Sequence, residues 1–229
     1  MNQRQEASVA HTRAGAAPSW RTARLVALDL EGTGAQDGAD EAILEIAAVP
    51  LIDGAPDVAT AYTTLVNPGR PIPARPWISP GLTNDALASA PPLAAVEPGL
   101  AALLDGAVLV GHNVRVDWRL LQRRCPSIRP IALLDTYKLA RAVMNTPSYS
   151  LTNLLKTLDL TATVDTMAPG SQPHRALWDT VGTALLLGAL IHIQWQTDPA
   201  IADLTAVADV PLDGGVSAPV IEEDQLHLF

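Results

Sequence analysis

The chain has almost nothing with which to crosslink or to stack. Among 229 residues only Cys125 is a cysteine and only Phe229 a phenylalanine, and aromatic residues make up 4%. A single cysteine excludes an intramolecular disulfide and suits a reducing compartment. Set between Arg124 and Pro126, it reads as an inert thiol. Long apolar runs are missing as well. No stretch reaches the ~20 residues of a membrane span, so no membrane partner is expected. The opening MNQRQEASVAHTRAGAAPSW lacks the apolar core of a secretion signal. Residues 1–21 read as a disordered leader, with a transit peptide as the alternative, and a cytoplasmic location is the expectation. Charged residues are only 17%, and 15 Lys plus Arg stand against 24 Asp plus Glu, a net charge of −9. Broad phosphate binding uses a basic face, so this balance argues against a nucleic-acid partner unless carboxylates hold metal ions.

What is present is apolar: 48% hydrophobic residues, enough for one substantial core. RLVALDLEG (24–32) is a short apolar run closed by Gly-Thr-Gly, the pattern of a buried strand. AILEIAAVPLI (42–52) and VATAYTTLV (58–66) follow as strands around an Asp53-Gly54 turn. Two more strands are expected at 107–111 and 131–135. Helices are expected at 83–89, 93–104, 114–124, 136–145, 150–158 and 174–195. Hairpin strands followed by alternating strands and helices predict an α/β fold, a central mixed five-stranded sheet flanked by helices. One domain over 22–196 results. From 197 to 229 the pattern dissolves into a flexible tail, with a short helix conceivable at 199–208.

Asp29 and Glu31 stand two apart in a strand, so both carboxylates project from one face. Two like charges so placed repel unless a cation neutralises them, although acids also gather at solvated strand ends. Asp117 opens the helix after AVLVGHN, where a plain capping role is the alternative. His174 and Asp179 in PHRALWD are five apart, about 500° on one helix, so they converge only if His174 precedes the helix. Pro173 is compatible with such a start. Singly, each signal is weak.

In combination, DLEGTG (29–34), GHNVRVD (111–117) and HRALWD (174–179) resemble the DEDDh exonucleases, the group of the proofreading epsilon subunit of bacterial DNA polymerase III and of ribonuclease T. EAILEIAAV (41–49), GLTNDAL (81–87), LDTYKLAR (134–141) and YSLTNLL (149–155) are similar to that family's connecting segments, and the likeness runs over about 22–192. Leu30 and Gly32 flank Glu31 where the family often has threonines, and Val116 replaces an aromatic before Asp117, read as a change within the core.

The resemblance implies an RNase H-like fold and a two-metal phosphodiester hydrolase. Asp29, Glu31, Asp117 and Asp179 would hold two divalent cations, Mg²⁺ or Mn²⁺ by the preference of hard ions for oxygen. Asp29 would bridge them, Glu31 and Asp179 hold the ion on the nucleophile side, and Asp117 support the other. His174 would be the general base. Gly32, Thr33 and Gly34 would approach the terminal nucleotide, Leu82 and Thr83 would hold or stack its base, and Asn113 would orient Asp117 or touch phosphate. His112 is expected to pack. QLHLF at 225–229 resembles the pentapeptide with which bacterial replication and repair proteins dock on the DNA polymerase sliding clamp. Gln225 would make polar contacts while Leu226, Leu228 and Phe229 enter apolar pockets. The alternative packs those side chains on the domain. Three readings stand: a 3′→5′ exonuclease on single-stranded or frayed 3′ ends of DNA, tethered to the clamp, with a replicative polymerase as a further candidate partner; a 3′→5′ exoribonuclease; and a non-catalytic adaptor that binds strand ends. The catalytic set does not separate DNA from RNA.

Overall fold

The computed structural model describes residues 18–213. The leader before 18 and the QLHLF peptide lie outside the described residues. Strand β1 (Leu25–Gly32) is the centre of a mixed sheet. It runs antiparallel to β2 (Ile43–Ile52) and parallel to β5 (Val108–Gly111), which in turn runs parallel to β6 (Ala132–Asp135). β2 also carries β3 (Ala55–Pro56) and β4 (Tyr62–Leu65) on its far side, both antiparallel.

The expected mixed sheet with flanking helices is therefore present, but among the described residues it has seven strands rather than five. The two extra strands, β3 and β7 (Asp209–Val210), are two residues each, too short to leave a period in the sequence. The strand expected at 58–66 is reduced to Tyr62–Leu65, because residues 58–60 close a 3₁₀ turn.

Alternation along β1 divides the core. Leu25 and Ala27 pack beneath α7 (Ala176–Gln194), α4 (Thr136–Val143), α5 (Leu151–Thr157), α6 (Thr161–Met167) and α8 (Ile201–Ala208). Val26 and Leu28 face α2 (Leu93–Leu104) and α3 (Arg115–Arg124). A short helix, α1 (Asn84–Ala88), adds a small third cluster through Leu87. α7 is long and apolar enough by composition to cross a membrane. Here it is the central core helix, with Trp178, Val181, Ala184, Leu187 and Leu190 buried against β1, β2 and its neighbouring helices. Cys125 is fully buried, and burial together with Glu97 pushes its thiol up to about 11, which makes it inert.

Two regions differ from the sequence expectation. α6, TATVDTM, was not foreseen, because its β-branched residues carry no helical period. It docks through Asp165, which accepts a hydrogen bond from the Trp178 indole at 2.8 Å. The ordered unit also extends past both expected boundaries. Trp20 is buried; its amide donates to the Pro199 carbonyl and its indole to Asp198, while Ser19 bridges Ala200. Leu204 and Ala208 of α8 join the main core, and Trp118 donates to the Leu212 carbonyl at 2.9 Å. The segment read as a linker thus begins with folded structure, held by a tryptophan read as leader. Replacing Trp20 by Ala is expected to destabilise the protein by about 3–5 kcal/mol, the usual range for losing a buried aromatic. A thermal melt that leaves the transition unmoved would contradict this anchoring role.

Candidate metal-dependent active site

The strand tips supply the first two acids. Asp29 and Glu31 share the α7 face of β1 with Leu25 and Ala27, as the alternation requires. The register with β2 slips between Glu31 and Gly32, a bulge that ends regular pairing beside the site. Asp179 stands in the first turn of α7, directly over them. Asp29, Glu31 and Asp179 each offer a carboxylate oxygen, and these oxygens all lie within 4.8 Å of one another.

Asp117 is outside that trio and comes from the other side of the sheet, in the first turn of α3. Its Oδ1 accepts the Leu30 amide at 3.0 Å, which fixes it next to β1. It therefore spans two elements rather than serving α3 as a simple cap. Val116, expected in the core, is 49% exposed, because α3 turns that position outward.

The electrostatics follow from crowding. Burial, then the charges of Asp117, Glu31, Asp179 and Glu45, hold the Asp29 carboxyl well above the usual range. Asp179 is raised in the same way by burial and Glu31, against a hydrogen bond from the His174 amide. Burial lifts Glu31 to about 7 although the Ser79 hydroxyl donates to it. Burial lifts Asp117 to about 8. Acids pushed together out of water in this way are poised for a cation. The donor set is all oxygen, which suits a hard divalent ion such as Mg²⁺ or Mn²⁺ rather than a thiolate-seeking one.

His174 precedes α7, as its spacing to Asp179 demanded, and the helix starts only at Ala176. Its φ of 64° is left-handed, unusual for a histidine. His174 remains exposed in that turn.

The proposed nucleotide contacts fare differently from one another. Thr33 is fully buried: its hydroxyl accepts from the Ala42 amide, and its carbonyl accepts from the Trp77 indole. Gly34 has φ 94°, and a Cβ there would lie 2.6 Å from the Trp77 indole nitrogen, so this turn requires glycine. Gly32 is similarly wedged against Leu120 and the Ala42 carbonyl. Leu82 is 4% exposed in a small core with Leu44, Ile72 and Leu87, so its side chain is not offered for stacking. Thr83 accepts the Ala86 amide as the cap of α1. The Asn113 backbone, with φ 63°, donates its amide to Asp135. His112 does pack: its Nε2 donates to the Tyr149 carbonyl, Nδ1 meets the Thr136 hydroxyl, and burial lowers it to about 4.

Sequence reasoning overlooked Ser79, Glu45 and Arg175. Arg175 grips Glu45 with two hydrogen bonds of 2.8 Å. Glu45 is the direct cross-strand partner of Glu31, and an acid inside the apolar run AILEIAAV was the available signal.

A family model described as Exonuclease, of the RNase T type, matches residues 26–187. The chain belongs to the RNase T exonuclease family. It is 32% identical over 178 residues to exodeoxyribonuclease 10 of Escherichia coli K12, covering 78% of this chain and 73% of that protein. The solved structure of exonuclease X with 5′-overhanging duplex DNA shares 32% identity and superimposes with a TM-score of 0.59, over 79% of this chain and 99% of that one. A DNA polymerase III subunit epsilon-like protein of Rhodobacter capsulatus is 36% identical over 166 residues, 70% of this chain but 22% of its own length. The chain spans between 12 and 22% of the length of several larger curated relatives. Within the RNase T exonuclease family, the observed fold is the RNase H-like one implied by the sequence motifs.

Proposed function

We propose that the protein is a metal-dependent 3′→5′ exonuclease acting on the 3′ end of DNA. The observation that carries this reading is the convergence of Asp29, Glu31 and Asp179 within 4.8 Å, with Asp117 pinned beside them and His174 at the α7 entrance. Asp29, Glu31 and Asp179, with Asp117 beside them, would hold two divalent cations. Bound there, such ions supply Lewis-acid polarisation of the phosphodiester and cancel the repulsion between acids and substrate. That charge reversal lets a chain of net charge −9 receive a polyanion.

The residues of the chain do the remaining work. His174 takes the proton of the attacking water, and its exposure lets it swing toward substrate and hand that proton to solvent. The Ser79 hydroxyl orients Glu31. Backbone at Gly32, Thr33 and Gly34, together with Asn113, would line the terminal nucleotide, with Leu82 and Thr83 supporting that wall from behind.

DNA as substrate is favoured by the resemblance to exodeoxyribonuclease 10 and by the QLHLF peptide. Gln225, Leu226, Leu228 and Phe229 would dock on a sliding clamp and keep the enzyme at primer ends, with a replicative polymerase as a further partner.

The test compares 5′-labelled single-stranded DNA and RNA of one sequence with Mg²⁺, Mn²⁺ or EDTA, for wild type and His174→Ala. The expected result is a 3′-end ladder on DNA that EDTA abolishes and that slows about 10²–10⁴-fold in the variant. Faster loss of RNA would replace DNA with RNA as the substrate. Intact DNA and RNA in every lane would overturn the enzyme reading.

A further inference from the structure

A fifth carboxylate stands at the site. Glu45 lies opposite Glu31 in the β1–β2 register and on the same face of the sheet. Its charge acts on Asp29, Glu31 and Asp179 alike. Its oxygens lie outside the Asp29–Glu31–Asp179 trio, but left alone its charge would join theirs. It is not left alone. Arg175 donates Nε to one of its oxygens and Nη2 to the other, both at 2.8 Å, the planar fork geometry that only arginine offers. The Ala176 amide, at the start of α7, donates to the same Oε2 at 3.3 Å. Glu45 therefore holds both the side chain of Arg175 and the amide that follows it.

His174 is the residue immediately before this grip. A left-handed residue other than glycine is strained and persists only where its surroundings over-determine it. The chain directly after His174 is clamped by Glu45, through the Arg175 guanidinium and the Ala176 amide. Arg175 also leans on the strap that carries Ser79, since its Nη1 lies 3.4 Å from where a Gly81 Cβ would be. One guanidinium thus joins β2, the Ser79–Gly81 strap and the α7 entrance.

We infer that Glu45 and Arg175 form a charge-cancelling clamp, which positions the His174 turn and keeps a fifth carboxylate charge from joining the cation-binding set. The inference rests on the exonuclease reading for its kinetic half. Its metal-binding half stands independently. Both are positioning residues and neither needs to touch substrate.

The test uses the full chain with Glu45→Gln, Arg175→Gln, the double variant and Arg175→Lys. Mn²⁺ binding is read by electron paramagnetic resonance, alongside melting temperature and steady-state kinetics on labelled DNA. Glu45→Gln leaves an uncancelled guanidinium beside Glu31, so Mn²⁺ affinity should fall about three- to tenfold; Arg175→Gln frees Glu45, so affinity should rise by a similar factor. The double variant should return near wild type in Mn²⁺ affinity. Both single variants should lose about 10²-fold in kcat with KM changed less than about threefold, as a displaced general base does. Arg175→Lys should keep Mn²⁺ affinity while losing kcat, because it keeps the charge but not the fork. Mn²⁺ shifts of the same sign in both single variants would overturn the charge-cancelling role. Wild-type kcat in Arg175→Lys would overturn the positioning role. Intact DNA with wild-type enzyme would instead defeat the exonuclease reading, while the Mn²⁺ shifts still decide the charge-cancelling role.

Discussion

Replacing Asp29 by Asn should make the metal-free protein more stable and the loaded protein inactive. Asp29 is held above the ordinary carboxylate range by burial and by four neighbouring acids. In the unfolded chain that carboxyl ionises freely in water. On folding near pH 8 it must either stay charged among like charges or take up a proton, and both oppose folding. Asparagine keeps the shape and removes the charge. A gain of about 1–2 kcal/mol is expected, which for a chain of this size is roughly 2–8 °C in melting temperature. Exonuclease activity should fall by about 10⁴-fold or more, because carboxylates acting as one unit do not substitute for each other. The Mg²⁺-dependent rise in melting temperature should shrink with it. Melts in EDTA and in Mg²⁺, with the labelled-DNA assay, check all three; a variant less stable than wild type in EDTA would show that Asp29 is not under repulsion.

Metal-free stability should fall as pH rises from about 6.5 to 8, and Mg²⁺ should reverse the trend. Glu31 and Asp117 titrate in the folded protein at about 7 and about 8. Unfolded, they titrate near 4.3 and 3.9. Between those values the folded state binds more protons than the unfolded one, so stability declines with increasing pH. The contribution is whole below the unfolded values and is lost through the folded ones. His112 acts oppositely lower down. Lowered to about 4, it favours folding as pH rises toward its unfolded value near 6.5, and nothing beyond that. Two raised carboxyls outweigh one lowered histidine, so stability declines from about pH 4.5 through 8, and Glu31 alone accounts for a loss of about 3–4 kcal/mol between its unfolded and folded values. Divalent cations bind the ionised carboxylates, so added Mg²⁺ stabilises most where the free protein is weakest. Calorimetry across this range, with and without EDTA, decides the matter. Rising stability in EDTA from pH 6.5 to 8 would sink the argument.

How much of this could be read from the sequence depended on whether the relevant rule was local. Asp29 and Glu31 were legible because strand alternation alone puts them on one face. The His174 placement was legible because five residues of helix would have separated it from Asp179, so the helix had to start later. Glu45 lies inside the apolar AILEIAAVPLI strand, and only the register with β1 brings it opposite Glu31. Trp20 was read as leader because rules for chain ends expect fraying, and its partner Pro199 is far away in sequence. α6 was invisible because TATVDTM has no apolar period, and Asp165 matters only through Trp178. Leu82 sits in a segment resembling one that handles bases, but burial with Leu44 and Ile72 commits its side chain to the core.

The loop between β1 and β2 has a consequence for how the protein meets a polyelectrolyte. Arg119 and Arg123 pair with Glu41, Arg70 and Arg75 pair with Asp37, and Arg124 caps the carbonyls of Ala39 and Glu41. Five of the 15 Lys and Arg residues are thereby committed to holding one loop in place next to the catalytic strand. Cations engaged in this way displace few of the counterions condensed on a nucleic acid, and counterion release is what drives most non-specific binding. For the proposed exonuclease, binding to a nucleic acid is therefore expected to depend only weakly on ionic strength.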